Sequence, residues 1–219
     1  MVRGRRKPHA THEEAEETKR TILRTAQELF MEYGYRAVST RQLADACGLT
    51  QPALYHYFAD KQDLYVAMVH EEVAKLQAAL ERIAVRHDSV EERLKRVVLY
   101  LLSTTQHDLA LMLHDIRHEL TVERQAVLDE AFQTGVIRPI ATIFADGLQQ
   151  GLLRDAQHGG AAPQTATFLL LNMISRYTRR PAAPDSAQTP YSASDAELAH
   201  MLVQILLYGL AYPHQEGCQ

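Results

Sequence analysis

Between positions 22 and 211 the apolar residues of this chain return every third or fourth place, and no useful length of apolar–polar alternation interrupts them. That spacing collects apolar side chains on one face of an α-helix, whereas a half-buried strand needs a period of two. The expected fold class is therefore all-α. The pattern predicts a first helix carrying Ile22, Leu23, Ala26, Leu29 and Phe30 and stopped by Gly34. Short helices over 40–47 and 51–58 come next, then longer ones over 61–83, 90–106, 107–120 and 122–152. Pro139 lies inside the last of these and should kink or break it, because its ring removes one backbone donor. A loop over 155–163, a helix over 164–179, a Pro- and Ser-rich connector over 180–194 and a final helix over 195–211 complete the chain.

Composition narrows the setting. Two cysteines, Cys47 and Cys218, stand far apart in 219 residues, which is neither a disulfide framework nor a zinc cluster. A reducing, cytoplasmic compartment is expected. The N-terminus is charged without a following apolar run, so it does not read as a signal peptide, and no segment is apolar for long enough to suggest a membrane span. The net charge of −4 argues against nucleic acid, but it is unevenly spread. Residues 1–65 hold 10 Lys and Arg against 9 Asp and Glu, leaving 13 against 18 for the remainder. Arg3, Arg5, Arg6 and Lys7 form a basic cluster that reads equally as a solubilising tail or as an arm along phosphates or a minor groove.

The stretch STRQLADACGLTQPALYHYFADK, positions 39–61, carries the chemistry. Two short helices flank a tight turn at Gly48, the spacing of a helix-turn-helix, whose second helix enters the major groove of DNA. Ser39 and Gln42 form a capping box, Thr50 caps the second helix, Pro52 is tolerated in its first turn, and Asp60 caps the helix that follows. Gln51 can make two hydrogen bonds to an adenine edge and Arg41 two to a guanine. Thr50, Pro52 and Ala53 are small enough for close approach and for contact with thymine methyls. Ser39, Thr40, Tyr55, His56 and Lys61 offer donors to phosphates, which fix register without reading sequence. Leu54 and Phe58 read as core. A helical hairpin whose aromatics merely pack has no reason to gather such a polar set. A helical interaction bundle that does not bind DNA is the alternative. An enzyme is not expected, since neither a glycine-rich phosphate loop nor a nucleophile motif is present.

Residues 18–65 resemble the DNA-binding domain of the TetR family of tetracycline-repressor-like regulators. The matching features are the helix ending ELFMEYGY, the run STRQLADACGLTQPALYHYF, and DKQDLY, with Leu54, Tyr55, Tyr57, Phe58, Lys61 and Leu64 as the most specific part. GLQQGLLR near position 150 and ILLYGL near 208 resemble the family's later helices. The resemblance implies a DNA-binding domain over 1–65 and a ligand-binding and dimerisation domain over 66–219. It also implies a homodimer formed by the last two helices, a near-palindromic operator, and repression relieved by a small-molecule effector. The double-faced apolarity of FLLLNMISRY and LAHMLVQILLYGL, seen without the resemblance, agrees with such an interface.

An effector pocket is expected between the helices of 90–152 and that of 164–179. Its lining would draw on Tyr100, Thr104, His107 and Met112, and on His114, Phe132, Phe144 and Met173. Greasy walls with a few orienting polar groups suit an apolar ligand, and methionine adapts to its shape. His107, His114 and His118 share a helical face, but without thiols the stripe reads as polar lining and not as a metal site. No cofactor is expected.

Overall fold

The computed structural model describes residues 12–104, 109–175, 177 and 194–210. Every regular element among them is helical, so the fold is all-α. In chain order these are α1 (His12–Tyr33), α2 (Thr40–Ala46), α3 (Gln51–Tyr55), α4 (Lys61–Ala84), α5 (Val90–Thr104), α6 (Leu109–Glu119), α7 (Val122–Phe132), α8 (Arg138–Gln149), α9 (Pro163–Ser175) and α10 (Asp195–Leu210). The basic cluster Arg3, Arg5, Arg6 and Lys7 and the pocket candidate His107 lie outside the described residues. The chain divides into two compact units, one ending at Val69 and the next beginning at His70. Helix α4 contributes residues to both.

The first unit is built on α1. This helix stops because Gly34 adopts φ 79°, a left-handed conformation that costs glycine little, while its N–H donates to the Phe30 carbonyl at 2.9 Å. Ile22, Ala26 and Phe30 of α1 are buried in a core that includes Leu43 of α2, Leu54 of α3 and Leu64 of α4. Phe30, Tyr35 and Tyr65 form a ring cluster: Phe30 stacks on Tyr35 at 5.6 Å and both meet Tyr65 edge-on at 5.1 Å. Rings so offset gain from their quadrupoles as well as from burial. Leu54 and Phe58 are buried, as their spacing indicates.

In the second unit α5 packs against α8, α9 and α10, and α9 also packs against α8 and α10. Arg93 of α5 is buried, donating from Nη1 to the Ala84 carbonyl at 2.7 Å and to Asp146 of α8 at 2.6 Å. The stretch expected as a helix kinked or broken at Pro139 over 122–152 is three pieces. A π turn, Gln133–Ile137, separates α7 from α8. Pro139 has no N–H, and its ring occludes the carbonyl four residues back, at Gly135. The wider turn resolves this, with the Arg138 N–H donating to the Gln133 carbonyl, five residues away. Gly135 is required there for a second reason: a Cβ on it would lie 2.8 Å from Val73 Cγ1 of α4.

Several helix ends fall short of the sequence reading. Helix α3 stops at Tyr55 and not at 58, α8 stops at Gln149 and not at 152, and α9 ends at Ser175, with Tyr177 after it in a turn. The last helix starts at Asp195 as expected, and Ser194 before it caps it: its hydroxyl accepts from the Glu197 N–H, and the Glu197 carboxylate accepts from the Ser194 N–H at 2.8 Å.

Candidate nucleic-acid interface

Local chemistry fixes α2 and α3 before any packing is considered. Ser39 Oγ accepts from the Gln42 N–H at 3.2 Å, and the Gln42 side chain returns to the Ser39 N–H at 2.8 Å. This reciprocal box satisfies two amides that the first turn of α2 leaves without helical partners. Gly48 makes the turn at φ 66°. Thr50 Oγ1 then accepts from the Ala53 N–H at 3.3 Å, with Pro52 in the first turn of α3. Asp60 Oδ1 accepts from the Asp63 N–H at 2.8 Å and so caps α4. Leu43, Ala44 and Leu54 hold the two short helices from behind.

The outward side carries most of the residues that sequence reasoning selected. Ser39, Arg41, Thr50, Gln51, Pro52, Tyr55 and His56 are exposed, while Thr40 and Ala53 are half-buried. The Arg41 side chain is 84% exposed, with Asp45 one turn on at 3.9 Å, a contact that solvent weakens. Ser39 already gives its O–H to Gln42 Oε1 at 2.8 Å, whereas Thr50 caps through a lone pair and keeps its O–H to offer a phosphate.

Two side-chain arrangements were not legible in the sequence. Gln51 Nε2 donates to Thr40 Oγ1 at 2.8 Å, and the Tyr55 hydroxyl donates to the same oxygen at 3.4 Å. The first residue of α3 is thereby tied to the first residue of α2. The other arrangement concerns Lys61. Its ammonium donates to the Tyr35 carbonyl at 2.5 Å and sits 4.0 Å from the centre of the Tyr35 ring. Lys61 is thus half-buried and clamps the start of α4 to the turn after α1, a use the sequence reading, which gave it to phosphate, did not foresee. The signal was present as the aromatic Tyr35 just past the Gly34 stop, but its pairing with position 61 is a tertiary fact.

The residues expected to line an effector pocket are spread over α5 to α9. Phe144 is buried, and Tyr100, Met112, Phe132 and Met173 are half-buried. Thr104 and His114 are exposed, and the His114 ring lies 4.4 Å from that of His118 along α6. Among the described residues no group of three or more His, Cys, Asp or Glu is arranged to hold a metal ion. An open groove of about 560 Å³ lies elsewhere, between α4 and α7, lined by Val73, Ala74 and Val127 with His70, Gln77 and Glu130 among its polar members. None of the expected pocket residues contributes to it.

Comparison with known proteins converges on this geometry. Residues 22–68 match the family model described as bacterial regulatory proteins, tetR family. The repressor AcnR of Corynebacterium glutamicum is 27% identical over 128 residues, covering 56% of this chain and 66% of the relative. The regulator AcrR of Shigella flexneri is 42% identical over 55 residues, covering 25% of this chain and 26% of the relative. The chain thus matches less than two thirds of the length of these curated relatives. Solved structures extend the likeness to nearly the full chain. AibR, in complex with isovaleryl coenzyme A and operator DNA, superposes with a TM-score of 0.65 at 26% identity, over 87% of this chain and 98% of AibR. PfmR of Thermus thermophilus, a TetR family regulator, gives 0.64 at 26% identity, over 87% and 99%. Residues 22–68 thus carry the helix-turn-helix of the tetR family of bacterial regulatory proteins, and the remaining helices are similar to those of the solved regulators AibR and PfmR.

Proposed function

We propose that this protein is a sequence-specific transcriptional repressor that binds DNA as a homodimer and leaves its operator when a small molecule binds. The carrying observation is the exposed set Arg41, Gln51, Pro52, Tyr55 and His56 on two short helices whose caps and buried faces are already satisfied. Presentation of exposed side chains from helices that caps and core already hold in place is what groove readout requires. In this reading residues 1–65 bind DNA, with Gln51 and Arg41 on base edges and Thr40 and His56 on phosphates. Residues 66–219 bind the effector and form the dimer. A protein that reads the genome works in the cytoplasm. Among the described residues no helix is long and apolar enough to cross a membrane.

The dimer reading rests on apolar side chains that the single chain leaves in water. Phe168 and Leu169 of α9 are 44% and 47% exposed, and Ile205 and Tyr208 of α10 are 57% and 77% exposed. A second copy applied to these helices would bury them, and its two-fold symmetry would call for a near-palindromic site. The effector reading rests on relatives: AibR was crystallised with isovaleryl coenzyme A as well as operator DNA. Acyl thioesters of coenzyme A are therefore the first class to screen. A ligand acts only through its different affinity for the DNA-competent and DNA-released arrangements.

The test is to sequence the genomic fragments that the purified protein retains. Enrichment of one near-palindrome, relaxed at a defined base pair by Gln51→Ala at a cost of roughly 1–3 kcal/mol, is expected. Retention that depends only on salt and never on sequence would overturn the proposal.

A further inference from the structure

We infer that Thr40 is a specificity-positioning residue: its hydroxyl oxygen orients the Gln51 amide for base reading, beyond any contact that Thr40 itself makes with the DNA backbone. The inference rests on the reading that Gln51 contacts a base. Its observation is the three-residue network in which Thr40 Oγ1 accepts from Gln51 Nε2 at 2.8 Å and from the Tyr55 hydroxyl at 3.4 Å.

The inventory of donors decides what this network can do. A threonine hydroxyl has two acceptor lone pairs and one donor. Gln51 and Tyr55 occupy the acceptor side, so Thr40 retains its O–H for a phosphate oxygen. A glutamine amide has two N–H donors and a carbonyl acceptor. With one N–H given to Thr40, Gln51 keeps one donor and one acceptor, the pair that matches the N7 acceptor and N6 donor of adenine. Thr40 therefore uses up the donor that reading does not need.

Gln51 otherwise stands exposed at the first position of a five-residue helix. A glutamine is among the side chains that lose most rotamer freedom when ordered. A side chain tethered before DNA arrives has lost part of that freedom already, so its preference for the matching base is expressed more fully. The anchor is itself well placed: Thr40 is half-buried at the start of α2, directly after the Ser39 capping box.

The experiment is a selection from a randomised duplex library with the full-length protein, run for wild type, Thr40→Val, Thr40→Ser, Gln51→Ala and the Thr40→Val/Gln51→Ala pair. Valine keeps the β-branched shape and removes the hydroxyl, and Thr40→Ala serves if the valine variant does not fold. Thr40→Val should lower discrimination at the same base pair that Gln51→Ala affects, by about three- to tenfold, the factor carried by one net hydrogen bond. Thr40→Ser should restore it. The double variant should discriminate no worse than Gln51→Ala, because both changes act on one interaction. A Thr40→Val protein that loses affinity for all sequences equally, with its base preferences intact, overturns the inference and leaves Thr40 a phosphate contact alone. If Gln51→Ala itself leaves the preferences unchanged, the base-reading assignment falls first and this inference with it.

Discussion

The buried pair of the second unit gives a prediction whose ordering is set by solvent access. The Arg93 side chain is 5% exposed and that of Asp146 is 34% exposed, with Nη1 to Oδ2 at 2.6 Å. Arg93 also serves the Ala84 carbonyl in the last turn of α4, while its Nε is buried and finds no hydrogen-bond partner among the described residues. Removing the carboxylate with Asp146→Ala leaves a guanidinium buried with one carbonyl for company, and an uncompensated buried charge costs about 3–5 kcal/mol. Removing the cation with Arg93→Met keeps much of the aliphatic volume and strands a carboxylate that water already reaches. That loss is closer to one charge-assisted hydrogen bond, about 1.5–3 kcal/mol. Asp146→Ala should therefore be the more destabilising change by about 1–2 kcal/mol. The cost of the double variant should lie near that of Arg93→Met and well below the sum of the two. Urea unfolding at one fixed protein concentration measures all three, the fixed concentration holding any subunit association constant. Equal costs, an inverted order, or simple additivity would refute the argument that the desolvated cation governs this pair.

Three more expectations follow from particular contacts. Ile205→Glu or Tyr208→Glu should convert the proposed dimer to a folded monomer in light scattering. Leu206→Glu should unfold the chain instead, since Leu206 is 7% exposed within one subunit. Gly135→Ala should destabilise by about 1–2 kcal/mol, because overpacking against Val73 outweighs a helix-propensity gain of about 1 kcal/mol, and Val73→Ala should relieve it in thermal unfolding. The His158 side chain at 2.6 Å, with the N–H groups of Gln157 and His158, holds the Asp155 carboxyl below its ordinary range. Its contribution to the folded loop is present above the ordinary carboxylate pKa and is lost as pH falls through the lowered folded value. His158→Ala should raise the Asp155 midpoint followed by NMR, and an unmoved midpoint would exclude His158 as the cause.

What the sequence revealed, and what it hid, divides along the range of the interactions. The caps at Ser39, Thr50 and Asp60 and the stops at Gly34 and Gly48 each depend on residues within four positions, so spacing alone placed them. The same is true of Leu54, whose burial follows from a helical repeat, whereas Phe58 is buried beyond the end of α3. Pro139 announced trouble in the run over 122–152, but not its form. Whether a proline kinks a helix, breaks it or is absorbed in a π turn depends on what packs nearby, and here Gly135 meets Val73 of α4, sixty-two positions earlier. Two-faced apolarity marked α10 as unusual, yet periodicity could not say which leucine faces outward. Leu206 faces its own core, and Ile205 is left in solvent.

Lys61 shows the same division inside the interface. Its ammonium suits a phosphate and a carbonyl equally, so residue type could not choose between them. The fold gives that ammonium Tyr35, which supplies both an acceptor at 2.5 Å and a ring face at 4.0 Å. Burial of Phe30, Tyr35 and Tyr65 positions that carbonyl, so the apolar core of the first unit decides what its surface lysine does. Thr40 is the converse case. Its hydroxyl was assigned to phosphate from residue type, and the structure gives it Gln51 and Tyr55 as donors while leaving its own O–H to offer. In both residues the polar atom's count of donors and acceptors was known from the sequence. Which of those sites the fold consumes, and which it leaves for DNA, is set by neighbours eleven to twenty-six positions away. In the proposed reading a base contact is thus specified twice, once by the side chain offered to the groove and once by the fold that withholds its surplus hydrogen-bonding sites.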